Sequence, residues 1–119
     1  MFVKILKSKL HRARVTETKL HYAGSIAIDS DLMDAVGLLP YESVFVADLN
    51  NGARLETYAV PAPAGSKEVV IMGAAALLVE KGDIVIIFSF AFLTPDEAKT
   101  FKPKVVALDE KNNIEKRIS

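Results

Sequence analysis

Apolar and polar residues alternate along this chain in short runs, and turn-forming residues interrupt the runs at close intervals. Phe2 to Thr16 reads as strand, with alternating stretches such as Lys9-Leu10-His11 and Arg12-Ala13-Arg14-Val15. His21 to Ser25 reads as a loop, and Ile26 to Ile28 as a short apolar strand. Asp29-Ser30-Asp31 can cap a helix through Leu32-Met33-Asp34-Ala35-Val36, and Gly37 stands where that helix would stop. Ser43 to Asp48 and Arg54 to Val60 are strands joined by Asn50-Asn51-Gly52, whose residue types tolerate the positive φ of a hairpin turn. Ala62 to Ser66 is a loop, Glu68 to Met72 a strand, and Gly73-Ala74-Ala75-Ala76 a small-residue corner. Gly82-Asp83 turns into the most apolar strand, Ile84 to Phe90. Thr94-Pro95-Asp96-Glu97 starts a second helix, with Pro at its first position. Lys104 to Leu108 is the last clear strand, and Asp109 to Ser119 is a charged segment that ends in a frayed hairpin. Many short strands with one or two short helices predict a mainly β fold, a small closed barrel.

Composition narrows the options. The 119 residues make one domain, 1–119, with an ordinary share of apolar and charged residues. Fifteen basic and fifteen acidic side chains leave no net charge, which argues against nucleic-acid and membrane-surface partners. No cysteine is present, so disulfides, thiolate metal sites and a cysteine nucleophile are excluded. His11 and His21 alone make a poor metal set, and no metal is expected. Lysines interrupt the first seven residues too often for a signal peptide, and the run from Ile84 to Leu93 is too short to span a bilayer. A cytoplasmic location is the expectation. A domain of this size leaves much surface uncovered, which favours self-association, and the apolar Ile84 to Phe92 stretch suits part of an interface.

The candidate chemistry lies at Gly24-Ser25. A serine hydroxyl can attack the carbonyl of the preceding residue and turn the amide into an ester. Elimination of the acyl group leaves dehydroalanine, which hydrolyses to a pyruvoyl group and ammonia. Glycine suits the preceding position because, without a Cβ, it exposes its carbonyl and accepts a strained backbone. Donors must stabilise the oxyanion. The ketone so formed makes a Schiff base with a substrate amine and draws electrons as carbon dioxide leaves. A Gly-Ser dipeptide alone is ordinary turn chemistry.

The surrounding residues give the dipeptide its meaning. Lys9-Leu10-His11-Arg12-Ala13, Leu20-His21-Tyr22-Ala23-Gly24-Ser25-Ile26 and Ile28-Asp29 occur in order. Asn51-Gly52-Ala53-Arg54, Glu56-Thr57-Tyr58, Gly73-Ala74-Ala75-Ala76 and Gly82-Asp83-Ile84-Val85-Ile86 follow. Taken together, over nearly the whole chain, they resemble the pyruvoyl-dependent aspartate α-decarboxylase family, which makes β-alanine for pantothenate and hence coenzyme A. With Ser25 intact, the sequence fits the uncut precursor form of that family, or simply the chain as its gene encodes it.

The resemblance implies a double-psi β-barrel, usually a homotetramer with sites between subunits. It implies autocatalytic cleavage of a zymogen between Gly24 and Ser25, giving residues 1–24 (the β chain) and 25–119 (the α chain). Ser25 would become the covalent pyruvoyl cofactor. Thr57 would assist cleavage and contact the substrate, L-aspartate, and Tyr58 would return a proton after decarboxylation. Lys9 and Arg54 would hold the substrate carboxylates, and Gly73, Ala74 and Ala75 would line the pocket. His11, Tyr22 and Ile86 would lie near it. Residue chemistry agrees with these roles: Arg54 can grip a carboxylate bidentately, and Lys9 can act as a point charge. Thr57 and Tyr58, being adjacent, face opposite ways in a regular strand and reach one site only if the strand ends, twists or bulges there. One position departs from the family. Asparagine normally precedes the Gly-Ala-Ala corner, and Met72 stands here, with a weak sulfur acceptor in place of amide donors.

Two other readings compete. Met72 favours a non-processing barrel of the same architecture that serves binding or assembly. A pyruvoyl decarboxylase of another acidic amino acid, such as glutamate, is the second, because shape selection over one methylene is worth only about 1–3 kcal/mol. Without the resemblance, Lys9, His11 and Arg12 would read as a solvated basic edge strand, and Arg54 with Tyr58 as a cross-strand packing pair.

Overall fold

A computed structural model describes residues 1–119. In chain order the elements are β1 (Val3–Arg14), β2 (Glu17–Lys19), β3 (Ser25–Asp29), α1 (Ser30–Val36), β4 (Ser43–Asp48), β5 (Arg54–Ala62) and β6 (Val69–Met72). A 3₁₀ turn (Gly73–Leu77), β7 (Ile84–Leu93), α2 (Pro95–Thr100), β8 (Lys104–Leu108) and β9 (Ile114–Arg117) complete it. The nine strands hydrogen-bond in the order β2-β6-β3-β5-β4-β7-β1-β8-β9. Parallel pairs (β1–β8, β2–β6, β3–β5) are mixed with antiparallel ones.

Closure follows from the connections. β1 and β2 lie far apart in that order, yet only Val15 and Thr16 separate them in the chain. Those two residues are pinned on both sides: Val15 N–H donates to Asp83 O at 2.9 Å, and Thr16 N–H donates to Val69 O at 2.8 Å. One continuous stretch therefore crosses from one part of the sheet to the other and rolls it into a small β-barrel. β5 crosses in the same way, pairing with β4 up to Tyr58 and with β3 from Ala59. The core is built from Leu10, Ile26, Ile28, Val46, Ile71 and Ile87 of the strands together with Leu32 of α1, all essentially inaccessible. Each such side chain contributes roughly 1.5–3 kcal/mol through burial.

The local signals act as their chemistry requires. The Asp29 carboxylate accepts from Asp31 N–H at 2.8 Å and caps α1, and Gly37, at φ 73°, ends it. Thr94 and Glu97 form a reciprocal capping box on α2. β4 and β5 form the expected hairpin about Asn50-Asn51-Gly52.

Several expectations are corrected. β1 is no edge strand, since β7 and β8 flank it. Ala62 belongs to β5, and β3 runs from Ser25 to Asp29, wider than Ile26 to Ile28. β7 continues to Leu93, beyond Phe90. Glu17–Lys19, too polar and short to signal a strand, becomes β2 because β6 offers it a parallel partner. The C-terminal segment is an ordered hairpin, with β9 antiparallel to β8.

Candidate active site

Ser25 is the first residue of β3 and is only 4 % exposed. On one side it pairs with Met72 of β6. On the other, β5 runs parallel, its pairing with β3 beginning at Ile26 opposite Ala59, so that Thr57 and Tyr58 come just before the paired stretch. The peptide bond between Gly24 and Ser25 therefore enters the barrel wall between β5 and β6.

The corner after β6 closes on this bond. Gly73 has φ 81° and is buried. A Cβ there would stand 2.7 Å from the Gly24 Cα, so only glycine permits the approach. Ala75 and Ala76 pack against the core, and Ala74 faces out. Tyr22 is exposed, and the Lys19 ammonium lies 4.9 Å from its ring centroid.

Thr57 and Tyr58 do point apart. Burial alternates from Arg54 to Ala59, with Thr57 on the inner side beside Leu55 and Ala59. Tyr58 is 38 % exposed, and its ring tilts against Tyr41 at 6.3 Å between centroids. The strand slips only beyond, where Ala59 and Ala62 are both buried. Within one chain, then, the Tyr58 ring lies on the outer surface.

Lys9, His11, Arg54 and Ile86 form a second group. Lys9 pairs with Phe88, which pairs with Phe45, which pairs with Glu56 across four strands. The Arg54 guanidinium lies 5.6 Å from the Phe88 ring centroid. Phe88 thus lies under the Arg54 guanidinium and opposite Lys9 in the sheet, a role that its place in an apolar run gave no reason to expect. Ile86, one pleat away on β7, pairs with Ala47, and Ala47 pairs with Arg54. The chain's ion pairs are Lys7–Glu42 and Lys99–Asp96, so Lys9 and Arg54 hold their charges without an internal carboxylate.

His11 occupies an irregularity of β1 between Leu10 and Ala13, next to Arg12 at φ 66°. Its Nδ1 is buried without a partner. Burial first, and then the charges of Lys9 and Arg12, push its pKa below the ordinary histidine value and favour a neutral ring.

The two groups do not meet within one chain. Arg54 and Tyr58 are four residues apart on β5, roughly 13 Å along the strand, and the Arg54 side chain leans toward β7, away from β3. That span exceeds the length of a four-carbon dicarboxylate. Cavities of about 750 and 340 Å³ lie around Arg14 and the C-terminal hairpin, and neither includes a residue of either group.

Residues 1–115 match the family model described as aspartate decarboxylase. A curated aspartate 1-decarboxylase of Bacillus licheniformis is 53 % identical over 118 residues, covering 99 % of this chain and 93 % of the relative. That of Carboxydothermus hydrogenoformans is 53 % identical over 116 residues, covering 98 % and 91 %. That of Moorella thermoacetica is 56 % identical over 110 residues, covering 92 % and 86 %.

Proposed function

Because the chain belongs to the aspartate decarboxylase family, we propose that it is a carboxy-lyase converting L-aspartate to β-alanine and carbon dioxide through a pyruvoyl group made from its own Ser25. The observation that carries this reading is the fit of Gly73 against Gly24 beside the buried Ser25. The residues suit the group. The bond to be cut stands at the start of β3, where Ser25 pairs with Met72, and the Gly73 backbone is pressed against its N-terminal side.

In maturation the Ser25 Oγ attacks the Gly24 carbonyl carbon, and the amide nitrogen leaves with a proton. The ester then loses the Ser25 Cα proton and the Gly24 carboxylate together. Water adds to the resulting dehydroalanine and ammonia departs. Thr57, two residues before the Ala59 of β5 that pairs with Ile26, assists the first step. The products are residues 1–24 and 25–119. The pyruvoyl ketone supplies the electron sink for decarboxylation.

The other side chains bind and move protons. Arg54 grips one substrate carboxylate bidentately, and Lys9 draws the other as a point charge. The Tyr58 hydroxyl gives the proton that replaces carbon dioxide at the substrate carbon. Gly73, Ala74 and Ala75 form the pocket wall, with His11, Tyr22 and Ile86 around it. Because the Arg54 and Ser25 groups lie apart in one chain, a neighbouring copy completes the site, in a homotetramer. No helix is long and apolar enough to cross a membrane, and the enzyme works in the cytoplasm, supplying β-alanine for pantothenate.

Mass spectrometry of the purified protein tests the reading. Two pieces are expected, the larger blocked at its N-terminus, together with β-alanine from added aspartate. A chain that stays intact on prolonged warming overturns it in favour of the non-processing module, the reading that Met72 opposite Ser25 supports. γ-Aminobutyrate formed from glutamate in preference to β-alanine from aspartate would reassign the substrate.

A further inference from the structure

At the far end of β3 from Ser25, a cleft of about 340 Å³ opens between the β1–β2 junction, the loop before β6, and the turns at Gly82 and Lys111. Arg14, Lys67, Lys81 and Lys111 line it, and Glu110 is its one carboxylate. The chain as a whole is neutral, so this is a marked local excess. The adjoining cavity of about 750 Å³ shows no such bias, because Arg12, Arg14 and Lys111 there face Asp109, Glu110 and Glu115.

The cleft rests on a rigid floor. Asn112 is 1 % exposed, and its Nδ2 donates to the carbonyls of Arg14 and Lys67, each at 2.9 Å. Its Oδ1 accepts from Arg14 N–H at 2.7 Å. Lys67 leaves the backbone at φ 61°, a conformation fixed by the 2.8 Å bond from its N–H to the Asp29 carboxylate. Arg14 Nη1 donates to Gly82 O at 2.9 Å, while its Nε–H is buried without an acceptor. None of the four cations belongs to an ion pair of the chain.

We propose that this cleft binds a small polyanion carrying phosphoryl groups. Its volume lies at the lower end of small-ligand sites, roughly 300–1,000 Å³, which suits pyrophosphate or the phosphate end of a larger metabolite. A guanidinium fork and three ammonium point charges match phosphate oxygens, and a small turn of Arg14 gives its idle Nε–H an acceptor.

The test is titration of the protein with orthophosphate, pyrophosphate and ADP at constant ionic strength, followed by calorimetry and by amide shifts. Saturable binding is expected, with shifts centred on Lys67, Gly82, Lys111 and Asn112. K81Q/K111Q weakens it about tenfold or more, roughly 1.4 kcal/mol, without altering the melting temperature or aspartate turnover. Tightest binding of pyrophosphate identifies a free polyphosphate, and tightest binding of ADP a phosphorylated metabolite; either supports the site. Linear, unsaturating shifts, equal affinity in K81Q/K111Q, or shifts of the same size at Lys99, Lys102 and Lys104 overturn it.

Discussion

Gly73 rests directly on Gly24: a Cβ added to Gly73 would lie 2.7 Å from the Gly24 Cα, 3.0 Å from its nitrogen and 3.2 Å from the Tyr22 carbonyl oxygen. These contacts are with backbone, which cannot swing aside as a side chain can. The corner after β6 and the loop before β3 are therefore fitted to each other, and the loop carries the bond proposed for cleavage.

Gly73→Ala should show what that fit does. The left-handed conformation alone costs an alanine about 1–2 kcal/mol, and the clash adds to it. The loop relieves the strain by moving, which takes the Gly24 carbonyl away from the Ser25 hydroxyl. A lower melting temperature and at least tenfold slower appearance of the 25–119 fragment are expected, followed by mass spectrometry. Unchanged processing in a folded variant would remove Gly73 from the account.

Met72 pairs with Ser25 across β3 and β6 and is half-buried. Its thioether accepts hydrogen bonds weakly and donates none. Met72→Asn places two amide donors beside the bond to be cut, where an oxyanion develops, and processing should accelerate. Time courses of the two proteins under one incubation decide the matter. Equal rates would mean that position 72 is indifferent to cleavage.

Binding and proton transfer should separate by kinetics. Arg54→Lys keeps the charge over Phe88 but loses the bidentate fork, so kcat/KM for aspartate should fall about 10–100-fold, the worth of one charge-assisted bond of roughly 1.5–3 kcal/mol. Tyr58→Phe removes only the hydroxyl and should lower kcat more than it raises KM. Both variants should process normally, since neither side chain takes part in the ester-forming step. Loss of cleavage in Tyr58→Phe would give that hydroxyl a different role.

Sequence reasoning succeeded where local chemistry decides the outcome. Asp29, Gly37, Thr94 and Glu97 act within a few residues of themselves, so caps and stops were readable. The alternation of β4 and β5 likewise follows from which side chains face the core. Partner choice was not readable. Nothing in Glu17–Lys19 announces a strand until β6 lies beside it. The placing of β1 between β7 and β8 makes Lys9 part of a sheet face instead of an edge. In the candidate site, glycine at 24 was intelligible from bond chemistry, whereas the need for glycine at 73 arises from a contact made forty-nine positions away. Phe88 under Arg54 depends on a register spanning three strands.

Asp48 makes stability depend on pH in a direction opposite to that of most carboxylates. It is 3 % exposed, and its Oδ2 has no donor. Its other oxygen accepts from Asn50 N–H at 2.7 Å. Burial first, and then the neighbouring Asp83 carboxylate, raise its pKa above the ordinary aspartate value. The folded chain thus holds this proton more tightly than the unfolded chain does. Between the two pKa values the native state carries more protons, so stability falls as pH rises through the folded value. In its charged form the group is poorly compensated, since one oxygen lacks a donor and the Asp83 carboxylate stands beside it. Asp48→Asn keeps an oxygen for Asn50 and supplies an amide donor for Asp83, so it should raise the melting temperature at pH 7. That gain should shrink on acidification, as the wild-type carboxyl takes up its proton. Melting curves of both proteins from pH 4 to pH 8 measure the effect, and a constant difference across that range would show that Asp48 does not titrate there.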